Sequence, residues 1–270
     1  MTAKALKPFL FLLAVTAVVS LACLGGGRTP ATQPPPVADT PQQIDQPIQT
    51  EAPVQTEAPV QTTEEPVQTE EPTTSVAEEY FTEEFEGDIG NWSYFNILGS
   101  KETNESALKL ETDGGYLVFD ISTKQLYTYV MYDPYNYKNV AIELRAENRG
   151  TNNNAISMVC RYSDEGWYEI NIQNSGLYNI LAATYNPSGD VVYGRLADGG
   201  SNKIKVGKDT NDYKMICKDR TITLYINGYE TRTIDENKYV LRDGQIGFSV
   251  SSFDDPTVKV DVDWVKVSEP

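Results

Sequence analysis

The chain has 270 residues, 39 acidic against 22 basic, no His and three Cys, for a formal net charge of −17. Without imidazole there is no Ser-His-Asp or Cys-His nucleophile, no His general base and no His-ligated zinc or iron, and three Cys exclude a four-Cys metal site. No globular stretch is basic, so a nucleic-acid partner is not expected, because phosphate binding needs a cationic face; an acidic surface also repels anionic lipid headgroups.

Lys4 and Lys7 precede an apolar run from Phe9 to Val19, broken only by Thr16, and small residues follow up to Cys23. This charged, apolar, small-residue order is that of an export signal, and the run is too short for an ordinary spanning helix. Residues 20–24 read SLACL, which resembles the lipobox of bacterial lipoproteins with Ser20 in place of the usual Leu. The resemblance implies cleavage before Cys23 and lipid modification of that residue; plain secretion and an uncleaved anchor are the alternatives. Each places the rest of the chain outside the cytoplasmic membrane, with membrane contact only through the lipid in the first case.

Residues 24–79 carry one Arg and ten acids and repeat themselves as EAPVQT, EAPVQT and TEEPVQT between 51 and 69. One Val per unit cannot build a core, while Pro and repelling Glu keep such a chain extended, so the segment reads as a disordered acidic linker. At about 3.1 Å per residue, ~50 residues of it would reach roughly 150 Å when fully extended.

All 17 Tyr and all three Trp lie from Tyr80 onward. There, apolar and polar residues alternate over five to eight positions and then meet a turn signal, the period of half-buried strands. Segments such as 139–147, 155–162, 167–173, 177–183, 213–218, 221–227 and 245–250 are expected strands. Asp113-Gly114, Asn174-Ser175-Gly176, Pro187-Ser188-Gly189, Asp198-Gly199-Gly200 and Asn227-Gly228 are expected turns. No amphipathic helix is evident. Residues 80–270 are therefore expected to form one all-β domain, a two-sheet antiparallel jelly-roll sandwich.

The segments TEEFEGDIGNW (82–92), MVCRYSDEGWYEINIQNSGLYNI (158–180), YKMICKDRTITLYINGYE (213–230) and RDGQIGFSVSS (242–252), closed by VKVDVDWVKV, together resemble the concanavalin A-like lectin/glucanase superfamily, which includes laminin G-like domains. The resemblance spans nearly all of residues 80–270. It implies a jelly roll whose relatives bind or cleave glycans. The glucanases among them carry acids at alternate positions of one strand, Glu-x-Asp-x-x-Glu or close variants, and no such run is present. Asp261 with Asp263, and Glu143 with Glu147, read as polar faces of strands, so the chain is expected not to be an enzyme.

Sugar binding needs aromatic rings beside planar polar side chains. Trp167, Glu169 and Asn171 share one strand face by alternation, with Arg161, Tyr178 and Tyr185 expected close by. A second cluster, YTYVMYDPYNY (127–137), holds five Tyr and is expected to run partly through a Pro-containing loop. Cys160 and Cys217 fall in expected strands of an exported domain, where a disulfide forms; two buried thiols are the alternative. No cofactor is expected to be required, although the resemblance admits a structural calcium ion held by Glu84 or Glu86 with Asp261 or Asp263. The expected partner is a glycan, with a protein-interaction or structural surface role on the same fold as the alternative and a glycoside-cleaving enzyme with an unrecognised carboxylate pair as the second.

Overall fold

A computed structural model describes residues 77–270. The expected export signal, the expected anchor at Cys23 and nearly all of the expected acidic linker lie outside the described residues. Within them the chain forms fifteen strands and one short 3-10 turn, Glu105–Ala107.

Eight strands make one antiparallel sheet: β1 (Phe81–Glu83), β3 (Leu108–Asp113), β4 (Tyr116–Ile121), β6 (Val140–Asn148), β11 (Thr210–Lys218), β12 (Thr221–Ile226), β13 (Tyr229–Asp235) and β15 (Val258–Ser268). Their order is β13-β12-β11-β6-β15-β4-β3, with β1 added on β15. The other sheet has seven strands: β2 (Trp92–Leu98), β5 (Leu126–Tyr137), β7 (Asn154–Ser163), β8 (Gly166–Gln173), β9 (Leu177–Tyr185), β10 (Val191–Gly200) and β14 (Gly244–Ser252), ordered β10-β9-β8-β7-β14-β5-β2. The all-β, two-sheet sandwich is as expected.

Alternation explains the eight-stranded sheet. In β6, Val140, Ile142, Leu144 and Ala146 are buried while Glu143, Arg145 and Glu147 are only partly so; in β11, Tyr213, Met215 and Cys217 point the same way as this apolar set. Phe85, Trp92, Phe119 and Phe248 meet edge-on in the core between the sheets, an arrangement that suits the ring quadrupoles. Cys160 on β7 and Cys217 on β11 are bridged, so the disulfide joins the two sheets.

Two turn expectations fail, for identifiable reasons. Asp198-Gly199-Gly200 is the end of edge strand β10, not a turn. A Cβ on Gly199 would lie 2.6 Å from the Tyr178 hydroxyl, so glycine serves there for close approach to a ring. The Tyr-rich segment 127–137 is one continuous strand, and Pro134 is accommodated where the β5–β14 register shifts between Gly244 and Ile246, a bulge being where a strand tolerates proline. By contrast Asn227 and Gly228 do turn β12 into β13, both at positive φ (50° and 81°), the geometry that favours Asn-Gly in tight hairpins.

The same Tyr-rich strand has a structural task. The hydroxyls of Tyr132, Tyr135 and Tyr137 donate to the backbone oxygens of Glu78, Ala77 and Glu79, at 2.7, 3.2 and 2.6 Å. Phe81 packs on Tyr132 at 4.4 Å between ring centroids. These rings clamp the chain where it enters the sandwich.

Candidate functional site

The middle strands of the seven-stranded sheet are buried on both faces: β8 is buried from Gly166 to Ile172, and β14 and β7 nearly throughout. One face meets the core. The other is covered by side chains of its own sheet, and the register shows which ones. A row of directly paired residues runs Phe95, Tyr129, Ser249, Ser157, Asn171, Asn179 from β2 to β9. The next row runs Ser93, Met131, Gly247, Val159, Glu169, Leu181, and beyond it Trp167 pairs Ala183, which pairs Tyr193 of β10.

Glu169 is the polar centre of this face and is 2% exposed. Its Oε1 accepts from the Ser157 hydroxyl at 2.7 Å, and its Oε2 accepts from the Tyr129 hydroxyl at 2.8 Å and from the Trp167 indole Nε1 at 3.2 Å. Asn171 Nδ2 in turn donates to Ser157 Oγ at 3.0 Å. Burial raises the Glu169 pKa above the ordinary carboxyl range, against the pull of these hydrogen bonds. Tyr129 spends its one proton on Glu169, so the 2.8 Å contact between the Tyr129 and Tyr193 hydroxyls is donated by Tyr193. A hydrogen-bonded chain thus leads from half-exposed Tyr193 to a fully buried carboxyl.

Aromatic rings wall this network. Trp167 is caged by Tyr129, Tyr162, Tyr185 and Tyr193, at centroid distances of 5.5, 5.6, 6.1 and 6.2 Å. Phe95 stacks on Tyr129 at 5.1 Å and on Tyr162 at 5.5 Å. Burial pushes the Tyr162 hydroxyl up to about 12. The cage leaves Trp167 with no exposed surface, whereas Tyr185 and Tyr193 are each 38% exposed. The ring presented to solvent is therefore not Trp167. It supports Tyr185 and Tyr193 from beneath.

Of the six residues expected to bind sugar, four share this face: Trp167, Glu169, Asn171 and Tyr185. Arg161 does not. A bulge between Cys160 and Ser163, with Arg161 at φ 58°, turns its side chain away from Val159 and Ser157 and brings Tyr162 onto the face instead. Tyr178 lies seven positions from Tyr185, so strand alternation puts the two on opposite faces, and Tyr178 packs in the core. Sequence reasoning missed Phe95, Tyr129, Ser157, Tyr162 and Tyr193. Tyr127 and Tyr129 alternate in a Tyr-rich strand, the one signal that could have pointed to this face; the partners from β2, β7 and β10 are fixed by sheet order.

Neither a protein-family profile nor a curated protein matches the sequence. Solved structures do match in fold. The chain is similar to a family 16 glycoside hydrolase from Bacteroides ovatus in complex with a product, at 15% identity and TM-score 0.51, over 70% of this chain and 99% of that one. It is similar to a prokaryotic β-1,3-1,4-glucanase derived from a mouse hindgut metagenome, at 12% identity and TM-score 0.52, over 71% and 99%. It is also similar to the exoplasmic/lumenal domain of VIP36 in a form bound to Ca2+ and Man3GlcNAc, at 11% identity and TM-score 0.50, over 72% and 91%. The fold is the concanavalin A-like jelly roll. At these identities the likeness extends to the fold alone.

Within this jelly roll two chemistries are tested by position. Glycosidic hydrolysis by paired carboxyls needs them ~5–9.5 Å apart across the bond. Along β8 the positions sharing a face with Glu169 are Trp167, Asn171 and Gln173, none of them acidic, and its paired neighbours are Val159 and Leu181. The acids expected for calcium lie as follows. Glu84 and Glu86 are exposed beyond β1, Asp261 is bound by Arg149 Nη1 at 2.7 Å, and Asp263 lies 3.9 Å from Arg145. A register shift between Val262 and Trp264 also breaks the alternation that would have aligned Asp261 with Asp263. Among the described residues no group of three or more acids or Cys converges on a metal position.

Proposed function

We propose that the chain is an exported, lipid-anchored module that binds carbohydrate on the outer face of its seven-stranded sheet and does not cleave it. Cys23 is the anchor, and the acidic linker holds the jelly roll away from the membrane surface. The observation that carries the reading is the pair of half-exposed rings, Tyr185 and Tyr193, set on Trp167, with the partly exposed Asn179 farther along the same face. Rings accept the C–H face of a pyranose, and planar amides and hydroxyls take its hydroxyl groups. The cage around Trp167 holds both rings in place before a ligand arrives, which lowers the ordering cost of binding.

Hydrolysis is the second reading, and Glu169 is the observation that favours it, since a buried carboxyl with a raised pKa is suited to act as a general acid. Against it stand the amides at the alternate β8 positions and the full set of donors already engaged by Glu169.

The deciding experiment is a glycan array probed with the purified full-length chain, followed by incubation of each hit with the protein and analysis of products. Saturable binding with intact glycan supports the proposal. New reducing ends would transfer the reading to a glycosidase, and a blank array would transfer it to a protein partner or a structural role.

A further inference from the structure

A second concavity lies at one end of the sandwich, away from the aromatic face. It has a volume of about 590 Å³ and sits beneath the segment 236–243 that joins β13 to β14. That is the size range of small-ligand sites.

Its inner wall is built from buried charged groups whose needs are met locally. Arg161, 4% exposed, donates from Nε and Nη2 to the Lys138 oxygen, from Nη1 to the Leu241 oxygen at 2.9 Å and from Nη2 to the Asp219 oxygen at 2.8 Å. All its partners are neutral carbonyls, and it makes no ion pair among the described residues. Glu236, 5% exposed, accepts from the backbone N–H groups of Lys238, Tyr239 and Val240 and from the Tyr168 hydroxyl. Its charge is spent on those donors.

The rim is different. Lys138 and Arg242 are exposed and their cationic groups have no hydrogen-bond or ion-pair partner among the described residues, and the carboxylates of Asp219 and Asp243 are equally uncommitted. Lys138, Arg161 and Arg242 line the cavity with Asp219, Glu236 and Asp243, while Arg220, also in the lining, is paired with Asp235 at 2.6 Å, so the two signs balance in a domain with 19 basic and 29 acidic residues. Strain gathers here too: Arg161, Asp219 and Val240 have φ of 58°, 51° and 59°. Such a conformation is costly for a β-branched residue and concentrates at sites where the surrounding structure imposes it.

We propose that this end cavity is a binding site for an acidic sugar, its carboxylate held by Lys138 and Arg242 and its hydroxyls by Asp219 and Asp243. A simple anion offers the two carboxylates no hydrogen-bond donor, and a neutral sugar offers the two cations no charged acceptor. A uronate-type pyranose satisfies both sets. The site is independent of the aromatic face.

The test is titration of the purified protein with glucuronate and with glucose, at millimolar concentrations and two ionic strengths, followed by calorimetry or NMR. Glucuronate is expected to bind saturably and glucose at least about tenfold more weakly, with glucuronate affinity falling as salt screens the contact. Lys138→Ala combined with Arg242→Ala removes only exposed, unpartnered groups, so the fold persists, checked by an unchanged Tm, and glucuronate affinity is expected to fall about tenfold or more. Tyr185→Ala with Tyr193→Ala is expected to leave glucuronate binding intact. Absence of glucuronate binding, equal affinity for glucose, full affinity in the rim variant, or loss in the tyrosine variant would each overturn the assignment.

Discussion

The hydroxyl of Tyr129 on β5 reaches over β14 and β7 to donate a 2.8 Å hydrogen bond to Oε2 of Glu169 on β8. Three strands of one sheet, β5, β7 and β8, are thereby tied to a single buried carboxyl, with Ser157 of β7 holding the other oxygen. Such a centre is rigid, and it places the surrounding rings.

Its titration is expected to be visible in stability. The ordinary value for Glu169 is 4.5 and burial raises it in the folded protein. The native state therefore holds the proton to higher pH than the unfolded chain, so the stabilisation is complete below about pH 4.5 and is lost as pH rises through the folded value. Glu169→Gln keeps an oxygen for Tyr129 and Trp167 and offers an amide to Ser157 without ionising. The Tm of this variant minus that of the wild type is expected to rise with pH from about 4.5 upward and then level off. A pH-independent difference would contradict the raised pKa.

Trp167→Ala is expected to cost about 3–5 kcal/mol of stability, because the indole is wholly enclosed and its loss opens a cavity beneath four rings. Urea unfolding measures this. A loss below about 1 kcal/mol would mean that the cage does not depend on its centre.

Reduction of the Cys160–Cys217 bridge frees a 57-residue separation in the unfolded chain. Loop-closure entropy sets the expected destabilisation at about 4 kcal/mol, read as a lower urea midpoint for Cys160→Ser with Cys217→Ser than for the oxidised protein. An unchanged midpoint would show that the link between the sheets adds nothing to their packing.

The clamp at the domain entrance gives a further expectation. Tyr132→Phe and Tyr137→Phe each remove one hydroxyl that donates to the backbone of Glu78 or Glu79. Each is expected to cost about 1 kcal/mol and, combined, to speed proteolysis around residues 77–80 with the sandwich intact. Unaltered cleavage kinetics would contradict the clamp.

Much of this molecule was legible in the sequence wherever one strand decides its own faces. The alternation in β6 and β11 identifies the core side of the eight-stranded sheet, and Asn227-Gly228 identifies a hairpin. The candidate site was legible only along β8, where Trp167, Glu169 and Asn171 follow the period of two. Arg161 was misplaced because a one-residue bulge reverses that period, and local alternation carries no sign of it. The burial of Trp167 was hidden for another reason: its cover comes from Tyr129, Tyr162, Tyr185 and Tyr193 on four strands, and only the sheet order brings them together. The five Tyr of 127–137 likewise divide by face, some toward the site and others into the entrance clamp.

The most direct measurement is the affinity of the best array glycan for the wild type and for the Tyr185→Ala, Tyr193→Ala double variant, with Tm recorded for both. Because these rings are 38% exposed, the variant is expected to remain folded while binding weakens by more than about 1 kcal/mol. Unchanged affinity in a folded variant would contradict the assignment of the sugar to the aromatic face of the seven-stranded sheet.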